Sequence, residues 1–305
     1  MEKNKTIAFP VKLADELWRL VEEKRDMRNY PKVIYHFTDI DGMIGIYKER
    51  SLWASHANAL NDVTEILYGI DVAKNHISAK LNPSSDTSSK PHISLPMKHN
   101  DILKAIFKHL REPSEEDTRY EAFVISFCGS IKGSMHWLHY GREGRGVAMG
   151  FDPFPFENSR FLLFPVEYDK SKFESLVDNI IEKTHEVLNE YNALNYQDTI
   201  DLAGIIVSSF LRMQAIRFKN ECFHGEEEWR LISWLPISTD ISYRVNFRVL
   251  NNRVTPYLKL ALDPHDSQLK EIVLGYSSSM QEDDAGLKML VGERTKISKS
   301  KVPVR

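Results

Sequence analysis

Val33-Ile34-Tyr35-His36-Phe37-Thr38 alternates Val33, Tyr35 and Phe37 with Ile34, His36 and Thr38. Residues two apart share one face of a strand, so this is a strand with a polar tip, and His36 falls near its end. Asp39 follows as an N-cap candidate for a helix reaching Tyr47, with Met43, Ile44 and Tyr47 at helical spacing. Ser51-Leu52-Trp53-Ala54-Ser55 then reads as a second short strand. Upstream, Leu13, Leu17, Leu20 and Val21 predict a docking helix from Leu13 to about Arg28, ended by Pro31.

Downstream the pattern alternates between the two periods. LNDVTEILYGIDVAKNHISAKL, from Leu60, starts a helix, and NPSSDTSSKPHISLP, from Asn82, has the composition of a linker. A helix over about 101–110 leads into EAFVISFC, ending at Cys128, whose β-branched and aromatic residues read as a buried strand. Residues 134–140 form a helical turn and GREGRG a glycine-rich loop. GVAMGF and FLLFPVEY are a pair of strands split by the turn DPFPFENS. Residues 171–220 are helical, with Leu176, Ile180, Ile181, Val187, Leu188, Leu202, Ile205, Ile206 and Phe210 as core candidates. EEEWRLISW, YRVNFRVL, PYLKLAL and EIVLGYS add strands, and the last fifteen or so residues are basic and short of core residues. Runs of strand separated by helical insertions predict an α+β domain rather than an alternating parallel sheet. The expected layout is an N-terminal docking helix over 1–30 and one α+β domain over 31–305, with helical insertions at about 63–120 and 171–222.

A chain of 305 residues, 42% hydrophobic, buries a substantial core, so disorder is not the starting expectation. Forty Lys+Arg against 43 Asp+Glu argue against coating nucleic acid through bulk charge. Cys128 and Cys222 stand far apart, outside any CxxC or Cys/His ligand spacing, which suggests neither a disulfide framework nor a structural zinc site. With no signal-peptide pattern and no run of about twenty apolar residues, the reading is a cytoplasmic protein without a membrane span.

Chemistry concentrates in three distant segments. In Gly225-Glu226-Glu227-Glu228-Trp229-Arg230, strand alternation puts Glu226, Glu228 and Arg230 on one face. Two carboxylates and a guanidinium there can bind hydroxyls, shift each other's protonation or stabilise a developing cation; a solvated strand edge with an ion-paired arginine is the alternative. His36, beside Thr38 and Asp39, can hold a ribose or a carboxylate, or satisfy a local hydrogen bond. Trp137 and Tyr140 lie three apart on a helical turn, as a stacking wall or as ordinary core. Arg142 and Arg145 of GREGRG can pair with a phosphate, although the loop is neither of the common phosphate-binding glycine motifs. Asn61 or Asp62, with Glu65, reads as a helix cap. His224, Glu226 and Glu228 form the cluster nearest to a metal site, and no metal is expected.

Read in order, these motifs resemble a large bacterial family of unknown function, number twenty-nine seventy-one. The residues concerned are Tyr35-His36-Phe37-Thr38, Ser51 to Ser55, Leu60-Asn61-Asp62 with Glu65, Ser126-Phe127, Trp137 with Tyr140-Gly141, and Gly146 to Phe151. Lys219, Glu226, Glu228-Trp229-Arg230, Ile272 to Gly275 and Ser300 to Arg305 complete them. The resemblance runs from about residue 31 onward.

A further resemblance is to ADP-ribosyltransferases, whose split sheet carries an early histidine or arginine, a middle Ser/Thr or Tyr element and a late glutamate. His36, then Ser126 with Trp137 and Tyr140, then Glu226-x-Glu228 follow that order. The resemblance implies NAD as substrate in a split antiparallel or mixed sheet. Glu228 would stabilise the ribosyl oxocarbenium and Glu226 would orient the acceptor, which is a protein side chain, a nucleic-acid base or water. His36 and Thr38 would contact ribose, Ser126, Trp137 and Tyr140 would shape the nicotinamide pocket, and Arg142 or Arg145 would pair with pyrophosphate. The activity so implied is a transferase or NAD glycohydrolase in antiphage defence or toxin action. The competing expectation is a non-catalytic module of the same fold that senses a nucleotide or peptide. A metal-dependent nuclease has the least support.

Overall fold

The alternation at 33–38 forms β1 (Ile34–Thr38) in the computed structural model of the chain. It describes residues 2–22, 30–59, 64–82, 97–112, 120–158, 160–191, 196–236, 245–250, 252–262, 268–292 and 295–302. Asn61, Asp62 and the linker-like stretch from Pro83 to Pro96 lie outside the described residues. The chain divides into two compact units. One is made of residues 1–26, 62–120 and 167–221, the other of 27–61, 121–166 and 222–305.

The first unit is helical: α1 (Glu2–Glu22), α3 (Thr64–Leu81), α4 (Met97–Arg111), α6 (Lys170–Glu190) and α7 (Tyr196–Ala215). Phe9, Leu13, Leu17 and Val21 recur every four residues and are all buried, so α1 presents one apolar stripe. The helix starts well before Leu13, and only residues beyond Glu22 fail to be described. Of the core candidates at 171–220, Ile180, Ile181, Val187 and Phe210 are buried, whereas Leu202 is exposed. Small residues bring α4 and α7 together. A Cβ added at Gly204 would come within 2.8 Å of the Ala105 Cβ. Between α4 and α6, the His99 and His185 rings stack at 4.5 Å with an interplanar angle of 6°.

The second unit holds the sheet: β1, β2 (Ser51–His56), β3 (Tyr120–Cys128), β4 (Val147–Phe151), β5 (Leu162–Pro165), β6 (Glu228–Pro236), β7 (Asn246–Leu250), β8 (Arg253–Ala261), β9 (Leu269–Leu274) and β10 (Lys296–Lys299). Short helices α2 (Ile40–Glu49), α5 (Ser134–His139) and α8 (Ala285–Val291) join it. Asp39 caps α2 as expected, its carboxylate accepting from the Gly42 N–H at 2.8 Å. The strand order is β10-β9-β4-β1-β3-β2-β8-β7, with β6 also pairing with β3 and β5 pairing with β6. Seven of the pairings whose register is defined are antiparallel, and β10 runs parallel to β9. This is a mixed α+β fold. GVAMGF and FLLFPVEY do not form the hairpin their proximity suggested, because β4 pairs with β1 and β9 while β5 pairs with β6. The basic C-terminal stretch supplies β10, and its strand is short because it has few inward-facing apolar positions.

β3 lies between β1 and β2 in the sheet. β1 meets β3 at Tyr35 opposite Cys128, while β2 takes up β3 further along at Ser55 opposite Val124 and His56 opposite Phe123. Two cores follow from strand parity. Ile34, Phe127, Met149, Phe151, Leu231, Leu258 and Ile272 face one way. Phe37, Cys128, Ala148 and Val273 face the other, closed by Trp137 of α5. β7 ends the strand order, with Phe247 and Val249 exposed and Val254 of β8 exposed beside them.

Candidate functional site

The three chemical segments converge on α5. Phe37 of β1 packs edge-on against Trp137 at 4.9 Å and stacks on His136 at 5.5 Å. The His136 Nε2–H donates to the Glu226 carbonyl at 2.6 Å, and the Tyr140 hydroxyl donates to the Glu226 carboxylate at 3.1 Å. From the third segment, Arg142 donates twice to Asp39 Oδ2, at 2.9 and 3.3 Å. The Gly42 N–H and, secondarily, Arg142 hold the Asp39 carboxyl below the usual carboxylate range. Segments nearly two hundred residues apart are thus joined by side-chain contacts.

The placement of individual side chains departs from the alternation argument. β6 begins at Glu228, Glu226 ends a 3-10 turn over Glu221–Glu226, and Glu227 between them has φ +43°. A left-handed residue breaks the period of two, so Glu226 and Glu228 do not form a strand pair. Glu226 turns to Tyr140. Glu228 is 7% exposed and closes a two-pronged ion pair with Arg230, which is 2% exposed, at 2.8 and 2.9 Å. Both Glu228 oxygens therefore accept from one guanidinium, a strong and geometrically specific contact. The alternative of a solvent-facing strand edge with a paired arginine is half right: the pair exists, and it is buried.

His36 lies on the opposite face from Phe37 and the α5 group. Its ring packs edge-on against Phe127 at 5.9 Å, in the gap where β1 leaves β3. Nδ1 lies 3.0 Å from the Ser126 carbonyl. A carbonyl only accepts, so Nδ1 carries the proton and Nε2 presents a lone pair. Burial keeps the ring neutral by lowering its pKa, and the positive charge of Arg248 adds to the shift, against the Ser126 bond. Nε2 has no hydrogen-bond partner among the described residues. Ser126 contributes its carbonyl here, and its side chain belongs by parity to the other face.

Trp137 has no exposed surface; its Nε1–H donates to the Ile131 carbonyl at 3.0 Å, and Tyr276 packs on its edge at 6.4 Å. It is core, and cannot stack on a ligand without leaving it. Thr38 ends β1, with its hydroxyl over the first turn of α2: a Cβ at Gly42 would come within 2.1 Å of Oγ1. The glycine-rich loop is closed upon itself. Arg142, Glu143 and Gly144 have φ of +50°, +56° and +78°, and the N–H groups of residues 143–146 donate to Leu138, Trp137, Arg142 and Gly141 carbonyls. Its amides are consumed by the chain and do not cradle an anion. Arg145 pairs with exposed Glu143 at 2.7 Å. Among the described residues no three His, Cys, Asp or Glu side chains are grouped to hold a metal.

Two groups lacked emphasis in the sequence reading. His136 is the hinge pin between α5 and Glu226, with its buried Nδ1 unpartnered. Arg248, in the centre of the apolar strand Asn246–Leu250, lies over the rings of Trp53 and Tyr257. Alternation puts Arg248 on the polar face with Asn246, opposite Phe247 and Val249, so the sequence held no signal that this face would be the covered one.

A family profile described as "Protein of unknown function (DUF2971)" matches residues 136–231, from His136 of α5 to Leu231 of β6. The chain is similar to that family over this segment, which contains Tyr140, Glu226, Glu228 and Arg230 and excludes His36 and Arg248. No curated protein and no solved structure matches the chain. Among the described residues, no helix is long and apolar enough to cross a membrane.

Proposed function

We propose that the chain is a nucleotide-recognising module that takes the ribose of a nucleotide, with NAD as the nucleotide favoured by the order of its motifs. The observation that carries this reading is His36: a neutral imidazole, its tautomer set by the Ser126 carbonyl, with an acceptor nitrogen lacking a partner among the described residues beside the short β1–β3 pairing. A ribose hydroxyl is a donor that such a nitrogen accepts without proton transfer. Recognition is favoured over catalysis because Glu228, the carboxylate assigned to the oxocarbenium, is committed to Arg230. Freeing it would break a buried, two-pronged ion pair.

A second reading rests on Glu226. Its carboxylate stands beside the Tyr140 phenol, an acid–base pair suited to placing a nucleophile at an NAD ribose. In that reading the chain releases nicotinamide or transfers ADP-ribose to a protein or nucleic-acid acceptor, as a bacterial toxin or in antiphage defence. Calorimetric titration with NAD, ADP-ribose and adenosine, alongside an assay of nicotinamide release, separates the two. Saturable binding lost in a folded His36→Ala variant, without turnover, supports recognition. Turnover abolished by Glu226→Gln would replace it with the enzyme, and no binding by any of the three ligands would refute both.

A further inference from the structure

Among the described residues, Arg248 is a cation without an anion. By register, Trp53, Ser55, Tyr257 and Lys259 share a face of β2 and β8, and Arg248 joins them through its pairing with Thr255. Its Nη2 donates to Ser55 Oγ at 2.7 Å, and its Cζ lies 5.3 Å from the Trp53 ring and 5.8 Å from the Tyr257 ring. Those rings stack on each other at 4.4 Å. The Arg248 Nε is buried without an acceptor, and no described carboxylate pairs with the guanidinium. The neighbouring carboxylate, Glu49, accepts instead from Lys259 at 2.7 Å and from the Trp53 Nε1–H at 3.3 Å. Aromatic faces attract a cation but leave its N–H donors without acceptors. Ser55 accepts from Arg248, so its own hydroxyl proton is available to donate outward.

We infer that Arg248, Ser55, Trp53 and Tyr257 form a binding site for a phosphate-class oxyanion. The guanidinium supplies charge and planar donors, Ser55 adds a hydroxyl donor, and the rings hold the fork in place. The presence of an anion site follows from these contacts alone. Only the choice of phosphate over carboxylate rests on the nucleotide reading above.

The test uses the full chain, titrated calorimetrically with pyrophosphate, succinate, adenosine and ADP. Pyrophosphate is expected to bind saturably and more tightly than succinate, with affinity reduced about tenfold or more in Arg248→Gln and by less in Arg248→Lys. ADP binding tighter than pyrophosphate assigns the anion to a nucleotide, and equal binding assigns it to a free phosphate; either supports the site. Pyrophosphate binding with none by NAD, ADP-ribose or adenosine sinks the ribose reading and leaves the anion site standing. Phenylglyoxal modification mapped at Arg248 of the unmutated chain covers a variant that does not fold, and pyrophosphate is expected to slow it. No pyrophosphate binding, tighter binding of succinate, affinity unchanged in Arg248→Gln, or modification of Arg248 unaffected by pyrophosphate would each overturn the inference.

Discussion

Arg230 and Arg248 are both strand arginines of the same sheet, and their surroundings differ in kind. Arg230 is enclosed, with both Glu228 oxygens on its guanidinium. Arg248 is half-buried, with one hydroxyl, two rings and an unpartnered Nε. A buried charge satisfied within the chain is part of the architecture, because removing either partner strands the other. A partly desolvated charge lacking an anion among the described residues is not explained by architecture alone. The residue best placed in sequence to do chemistry is the one most committed to structure, and the overlooked one has donors to offer.

The sharpest way to break that contrast is Glu228→Gln. It is expected to destabilise the chain by about 3–5 kcal/mol in urea unfolding, since it breaks a buried, two-pronged ion pair. A loss below about 1 kcal/mol would show that the pair is not structural. Acid is the next probe. Burial, reinforced by the neighbouring His99, lowers the His185 pKa to about 4 from the ordinary 6.5. The unfolded chain therefore binds a proton that the folded one refuses, and this contribution to stability is present above pH 6.5 and lost as pH falls toward 4. The expected loss is on the order of 1–3 kcal/mol, read from unfolding midpoints across that window and reduced in His185→Gln. His36, lowered in the same direction, adds to the acid loss.

Smaller effects sharpen the picture of the converging segments. Tyr140→Phe removes the hydroxyl bonded to Glu226 and should cost about 1 kcal/mol, while leaving ribose recognition at His36 intact. Arg248→Gln removes a charge with no carboxylate partner among the described residues, so its stability change should stay within about 1 kcal/mol, against several for Arg230→Gln. Smallest of all is Arg142→Ala. Its ion pair with Asp39 is exposed on the arginine side, and its loss should fall within about 0.5 kcal/mol.

Elements governed by local rules were legible in the chain: β1 from the alternation at 33–38, α2 from the Asp39 cap, and β3 from its β-branched and aromatic run. The contacts that join the three segments run through Phe37, Asp39 and Glu226, whereas His36 and Glu228, to which sequence reasoning assigned the chemistry, are held elsewhere. Side-chain direction was not legible. One left-handed residue, Glu227, defeated the parity that joined Glu226 to Glu228. The face taken by His36 depended on which face α5 covers, and α5 is set by the long-range Trp137–Phe37 contact. The pairing of β4 and β5 was equally hidden, since adjacency in sequence does not fix partners across a sheet of this size. Arg248 looked unremarkable because its environment is assembled from β2 and β8, far from it in the chain or across a turn.

The last strand of the sheet, β7, carries Phe247 at 62% and Val249 at 76% exposure, with Val254 at 74% beside them. A short apolar strand at a sheet margin is a template for self-association during expression and storage. In that light Arg253, exposed opposite Leu250, is the charge at this margin suited to discourage edge-to-edge stacking of chains. Lysine substitutions at Val249 or Val254 are therefore the natural choice for keeping the protein soluble at high concentration, since neither residue belongs to a core cluster.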